Sequence, residues 1–185
     1  NRIFSKLDFK ATYIKANISE DGETITSTLR DRGNEIFTLV EQNPFNLLKD
    51  IEIHIYYLNP YSKAYFKRQT GIRSKEFGSI FLFINGFRIP PYGDDGNDWL
   101  GMERRKGQGH SRFLGTREVI GRIEINGVEF DEGEGAIALI TPWLDIIIGK
   151  FRDSINLLCC LSKALFSLLS FDIIYKYKSC QIILV

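Results

Sequence analysis

The dipeptide Asn85-Gly86, set between the apolar runs Ile80–Ile84 and Phe87–Ile89, constrains this chain more than any other feature. Both central residues of a two-residue hairpin turn need positive φ, which asparagine and glycine tolerate, so GSIFLFINGFRIPPYG over Gly78–Gly93 is predicted to be a β-hairpin. Ile80, Leu82 and Ile84 alternate with Phe81 and Phe83. Both faces are apolar, which predicts a strand covered on both sides at the centre of a sheet. Pro90-Pro91 cannot continue a ladder, and Tyr92-Gly93 leads into a polar loop.

The rest of the chain supplies partners for that hairpin. Leu7–Ile18 follows a period of two, Glu20-Asp21-Gly22 turns it into Thr24–Leu29, and Asp31-Arg32-Gly33 turns again before Ile36–Val40, so a meander is expected. Ile51–Leu58 is a fourth strand with Ile51, Ile53 and Ile55 on one face and Glu52, His54 and Tyr56 on a less apolar one. His54 has no Cys or His near it and reads as a surface or packing residue. Asn59-Pro60 predicts the start of a helix over Ser62–Gln69 that stops at Gly71, with Tyr61, Tyr65 and Phe66 as its apolar stripe and Lys63, Lys67 and Arg68 in solvent. Val119–Ile125 is a further strand, followed by Asn126-Gly127.

Length and charge bound the function classes. The 185 residues suit one domain plus an appendage. A net charge of +1 gives no global attraction to nucleic acid or anionic membrane, so electrostatic binding requires a local patch. That patch is Met102–Gly121, where Arg104, Arg105, Lys106, Arg112 and Arg117 face Glu103 and Glu118. Lys106-Gly107-Gln108-Gly109 lacks the remaining glycines and the Gly-Lys-Ser/Thr ending of a P-loop. Asp94–Asp98 lacks the glycine and glutamate spacing of a calcium loop and reads as a solvated turn. Neighbouring Cys159-Cys160, with Cys180, fits neither a disulfide framework nor a zinc site, which favours a reducing, cytoplasmic setting. Asn1–Lys10 has no apolar signal region, and the missing initiator Met suggests a fragment. Pro142–Phe151 is a helix candidate; Ile155–Phe171 falls short of the roughly 20 residues of a membrane span and carries Lys163 at its middle. A buried helix, or tail sequence foreign to the fold, is expected there.

Taken together, Gly78–Gly93, then Asp98-Trp99-Leu100-Gly101, Arg104-Arg105-Lys106, Gly109 and Arg112–Ile125 resemble the second domain of bacterial ATP-binding proteins of the GHKL class, which includes gyrase, histidine kinases and the ninety-kilodalton heat-shock chaperone. The resemblance covers about residues 5–133. It implies an α+β transducer domain, a ribosomal-protein-type β-α sandwich with a mixed or antiparallel sheet over 1–133, followed by an apolar helical tail over 134–185. It implies a non-catalytic portion that couples the ATP state of a nucleotide-binding domain in cis to an unknown protein client. ATP and Mg²⁺ belong to that other domain, and no catalytic, nucleotide-binding or metal-ligating residue is expected here. The family-signature or interaction surface comprises Asn85, Gly86, Arg88, Tyr92, Gly93, Trp99, Arg104, Arg105, Lys106 and Arg117. Transducers of this class place a Lys or Arg near the γ-phosphate after the strand that Val119–Ile125 resembles; here Phe130–Ile137 is acidic and carries neither. The alternative is a nucleic-acid-binding module that uses the basic 104–117 segment, with a membrane-tethered domain using Ile155–Phe171 as a third, less favoured reading.

Overall fold

The computed structural model describes residues 7–44, 49–109, 113–126, 138 and 140–161. The chain divides into two compact units, Asn1–Phe151 and Arg152–Val185. In the first, strands β1 (Thr12–Ile18), β2 (Thr24–Asp31) and β3 (Asn34–Gln42) form the expected meander. β4 (Ile51–Tyr57), β5 (Ile80–Ile84), β6 (Phe87–Arg88) and β7 (Val119–Ile125) complete a seven-stranded sheet of order β3-β2-β1-β4-β7-β5-β6. All pairs are antiparallel except β5 with β7. This is a mixed-sheet α+β fold, and helical residues 140–151 lie within the same unit.

Register explains the core. Ile14, Ile55 and Gly121 are neighbours across β1, β4 and β7, followed by Ala16, Ile53 and Ile123, then Ile18, Ile51 and Ile125. Ile80, Leu82 and Ile84 of β5 extend these rows, and all these isoleucines and leucines are buried. Period-two alternation thus puts one apolar row per strand on a single face. Helical residues 140–151 bury a matching stripe of Ile140, Trp143, Leu144, Ile147 and Phe151. The helix is anchored by ion pairs from Lys150 to Glu41 at the end of β3 and from Arg105 to Asp145.

The face of Glu52, His54 and Tyr56, expected to be the less apolar one, is nevertheless largely covered. His54 and Tyr56 are both buried, Tyr56 within a cluster of Leu7, Ala11, Tyr13, Leu58, Phe66 and Ile120. Helix α1 (Pro60–Thr70) covers this half of the face. Its start follows the sequence: Asn59 Oδ1 accepts from Ser62 N at 2.8 Å, Pro60 opens the first turn, and Gly71 closes the helix at φ 79°. Its stripe does not, because Tyr61 is 87% exposed while Ser62 and Phe66, one turn apart, face the sheet. The Ser62 hydroxyl is satisfied by donating to Lys10 O at 2.8 Å.

The hairpin has the expected turn, with Asn85 at φ 48° and Gly86 at φ 81°. Its place differs: β5-β6 ends the sheet, and the centre is β1-β4-β7. β5 is nevertheless apolar on both faces because Phe81 packs edge-on against Phe77 of the short helix α2 (Ser74–Phe77), at 5.5 Å between centroids, and Phe77 against Phe66 at 5.3 Å.

In the second unit, residues 152–161 are helical, and Cys159 and Cys160 are exposed. Among the described residues no helix is long and apolar enough to cross a membrane. His110, Arg112, the acidic Phe130–Ile137 segment, Lys163 and Cys180 lie outside the described residues.

Candidate functional site

The signature segments that are far apart in sequence meet at the β5-β6 end of the sheet. Trp99 Nε1 donates to Ile80 O at 3.0 Å, and the indole stands edge-on to Tyr92 at 5.2 Å. Ser79 N donates to Gly93 O at 2.8 Å, closing the loop that follows Pro90-Pro91. A β-carbon at Gly93 would lie 2.4 Å from Ile80 O, so only glycine permits this approach. Trp99→Phe is expected to cost about 1 kcal/mol, the value of one hydrogen bond whose acceptor is left without its donor; urea unfolding midpoints check it.

Asp94, Asn97 and Asp98 of the acidic turn are engaged in the local structure. Asp94 pairs with Arg88, whose guanidinium also lies 4.6 Å from the Phe81 ring centroid. Asn97 Oδ1 accepts from Trp99 N at 3.2 Å. Asp98 accepts from Glu103 N and Arg104 N at the start of helix α3 (Met102–Gly107), leaving it a capping residue. Among the described residues no group of three or more His, Cys, Asp or Glu has the arrangement of a metal site.

The basic segment separates into two classes. Arg105 pairs with Asp145 at 2.7 Å and donates to Leu100 O, while Lys106 Nζ sits 2.6 Å from Glu118 Oε1. These two charges are neutralised within the fold. Arg104 and Arg117 are exposed. Arg117 belongs to the 3-10 turn Thr116–Glu118, which is clamped to α3 because Glu103 Oε1 accepts from Thr116 N at 2.8 Å and from its hydroxyl at 2.7 Å. The Thr116 hydroxyl is also the main reason the Glu103 carboxyl is held below its usual range, with Lys106 adding to the effect.

Between α2, the 94–98 turn, α3 and the 3-10 turn lies a cleft of about 540 Å³. Lys75 and Arg117 line it with the carboxylates of Asp95, Asp98 and Glu103, together with Ser79 and Thr116. The structure therefore brings Gly93, Trp99, Lys106 and Arg117 to one end of the sheet and leaves Asn85 and Gly86 as the turn that reverses β5 into β6. No sequence pattern marks Lys75 or Asp145; Asp145 enters through its ion pair with Arg105, and Lys75 through its place on the cleft. Beyond the countercharge its sequence position suggests, Glu103 is the clamp between α3 and the 3-10 turn.

The fold and this surface define an α+β protein built on a mixed seven-stranded sheet, with a cleft lined by charges of both signs at its parallel end. No family model, no curated protein and no solved structure matches the chain.

Proposed function

We propose that this chain is the non-catalytic transducer portion of a GHKL-type ATPase, coupling the ATP state of a nucleotide-binding domain to a protein partner. The observation that carries the reading is the convergence of the resembling segments. Gly78–Gly93, Asp98–Lys106 and Gly115–Glu118 are joined by Trp99 to Ile80, Glu103 to Thr116 and Lys106 to Glu118. A signal-transmitting element must move as one body, and these cross-links tie three loops to one sheet end. Arg104 and Arg117 are exposed at that end, with exposed Lys75 on the same cleft, and are suited to meeting an acidic surface or a phosphate from outside the chain.

The self-neutralised pairs at Arg105 and Lys106 weaken the case for a nucleic-acid module, since a phosphate-binding stripe requires uncommitted cations. Two titrations test the proposal. Calorimetry with MgATP is expected to show no binding to the isolated chain, and an affinity in the micromolar range would overturn the reading. Fluorescence anisotropy with single-stranded and duplex DNA at low salt is expected to stay flat; binding that falls steeply with salt would replace the transducer by the nucleic-acid module.

A further inference from the structure

β3 is one edge of the sheet, paired only with β2 among the described strands. Its sequence, Asn34-Glu35-Ile36-Phe37-Thr38-Leu39-Val40-Glu41-Gln42, is a palindrome in chemical character about Thr38. Amide matches amide, glutamate matches glutamate, Ile36 matches Val40 and Phe37 matches Leu39. Ile36, Leu39 and Val40 are exposed, Val40 at 62%. Edge strands are ordinarily blunted by Lys, Pro, unpaired charge or a β-bulge; in β3 the bulge is confined to Ile36, at one end of the apolar run. β3 has no Lys, Arg or Pro. Its two glutamates are already neutralised within the chain, Glu35 by Arg30 at 2.9 Å and Glu41 by Lys150.

From this we infer that β3 is an interaction edge for a second copy of this chain, the two strands pairing antiparallel about a two-fold axis at Thr38. A two-fold interface requires that residue i meet j while j meets i. The palindrome satisfies this requirement with like chemistry at each step. Ile36 meets the second copy's Val40, Phe37 meets its Leu39, and Thr38 meets its own counterpart. A foreign strand needs no such symmetry, so the pattern favours self-pairing over capture of an unrelated peptide. The ladder runs over Ile36–Val40. Its limit on one side is the irregularity opposite Leu29 and Arg30, where Phe37 pairs with Leu29 and Glu35 with Arg30, leaving Ile36 as an extra residue. Glu35 and Glu41 then flank the ladder with their charges already compensated. The two sheets become one continuous sheet across the axis.

Light scattering coupled to size exclusion, over a concentration series of the full chain, tests this. A concentration-dependent dimer is expected for the wild type. Val40→Lys, at an exposed side chain, is expected to weaken dimerisation at least about tenfold by placing ammonium groups against the apolar pair. Phe87→Lys, on the opposite edge of the sheet, is expected to leave it unchanged. Circular dichroism confirms that each variant is folded. A wild type that stays monomeric throughout overturns the inference, as does a dimer that survives Val40→Lys or is lost on Phe87→Lys.

Discussion

Gly93→Ala is expected to destabilise the chain by about 3 kcal/mol or more, with the loss concentrated in the signature hairpin. Two effects combine. Gly93 adopts φ 86°, where an L side chain costs about 1–2 kcal/mol. An added β-carbon would also meet Ile80 O at 2.4 Å, Ile80 C at 2.7 Å and Phe81 Cα at 2.9 Å. All three are backbone atoms of β5, so no side-chain rotation relieves the contact. Relief requires the loop to lift away, which breaks Ser79 N to Gly93 O and draws Trp99 from Ile80 O. Gly96→Ala is the matched control: φ is 84°, but nothing lies within 4 Å of the added carbon. Urea unfolding of the two variants separates strain from collision. Equal losses would show that the close approach contributes nothing.

The second large effect is a dependence of stability on pH centred on His54. The imidazole is buried beside Tyr13 and Tyr56, at ring centroid distances of 5.0 and 4.4 Å, and its Nε2 has no hydrogen-bond partner among the described residues. Burial pushes its pKa down to about 3 from an ordinary 6.5, and the charges of Lys15 and Arg122 act in the same direction. Asp8 Oδ1 lies 3.9 Å away and opposes the shift, but that oxygen also accepts the Tyr56 hydroxyl at 2.6 Å. Because the folded pKa lies below the unfolded one, the unfolded chain takes up the proton first as pH falls. The stabilisation is complete above pH about 6.5 and is lost progressively from there toward pH about 3. The loss from this group is on the order of 4 kcal/mol.

His54→Phe keeps a ring among the tyrosines and removes the titration. It is expected to be close to neutral at pH 8, since the lost Nε2 had no partner, and more stable than the wild type at pH 4.5. Other carboxylates titrate in both proteins, so the difference between the two curves isolates His54. Parallel curves for variant and wild type would contradict a buried neutral imidazole. Tyr56 supports the same picture, because burial, together with its hydrogen bond to Asp8, raises its phenol well above the usual range and keeps it neutral.

The local elements of the fold were legible because their causes are local. Asn85-Gly86 has the conformational freedom its turn demands, Asn59-Pro60 caps and starts α1, and the alternating apolar rows of β1, β4 and β7, such as Ile51, Ile53 and Ile55, all face one side and are buried. Tyr61 misled because tyrosine is apolar enough to belong to a stripe, while Ser62, paired with Lys10 O, is small and satisfied enough to be buried in its place. For His54 the sequence leaves surface and packing both open, because alternation assigns a residue to a face but does not say what covers it; the structure packs it against Tyr13 and Tyr56.

The candidate site was legible only in part. Gly93 and Trp99 sit in segments whose composition marks them, yet the partners that define their roles, Ile80 for both and Thr116 for Glu103, follow from tertiary contact. Arg105 and Lys106 looked like an open basic patch; Asp145 and Glu118 neutralise them from residues 40 and 12 positions away. By itself the sequence determined the strands, the turn chemistry and the palindrome of β3, because each depends on the backbone preferences and periodicity of consecutive residues. Tertiary structure alone decided that the hairpin ends the sheet rather than centring it, which charges stay open to partners, and that β3 is left as an edge. Those outcomes depend on which strand pairs with which, and pairing is settled by burial summed over the whole sheet.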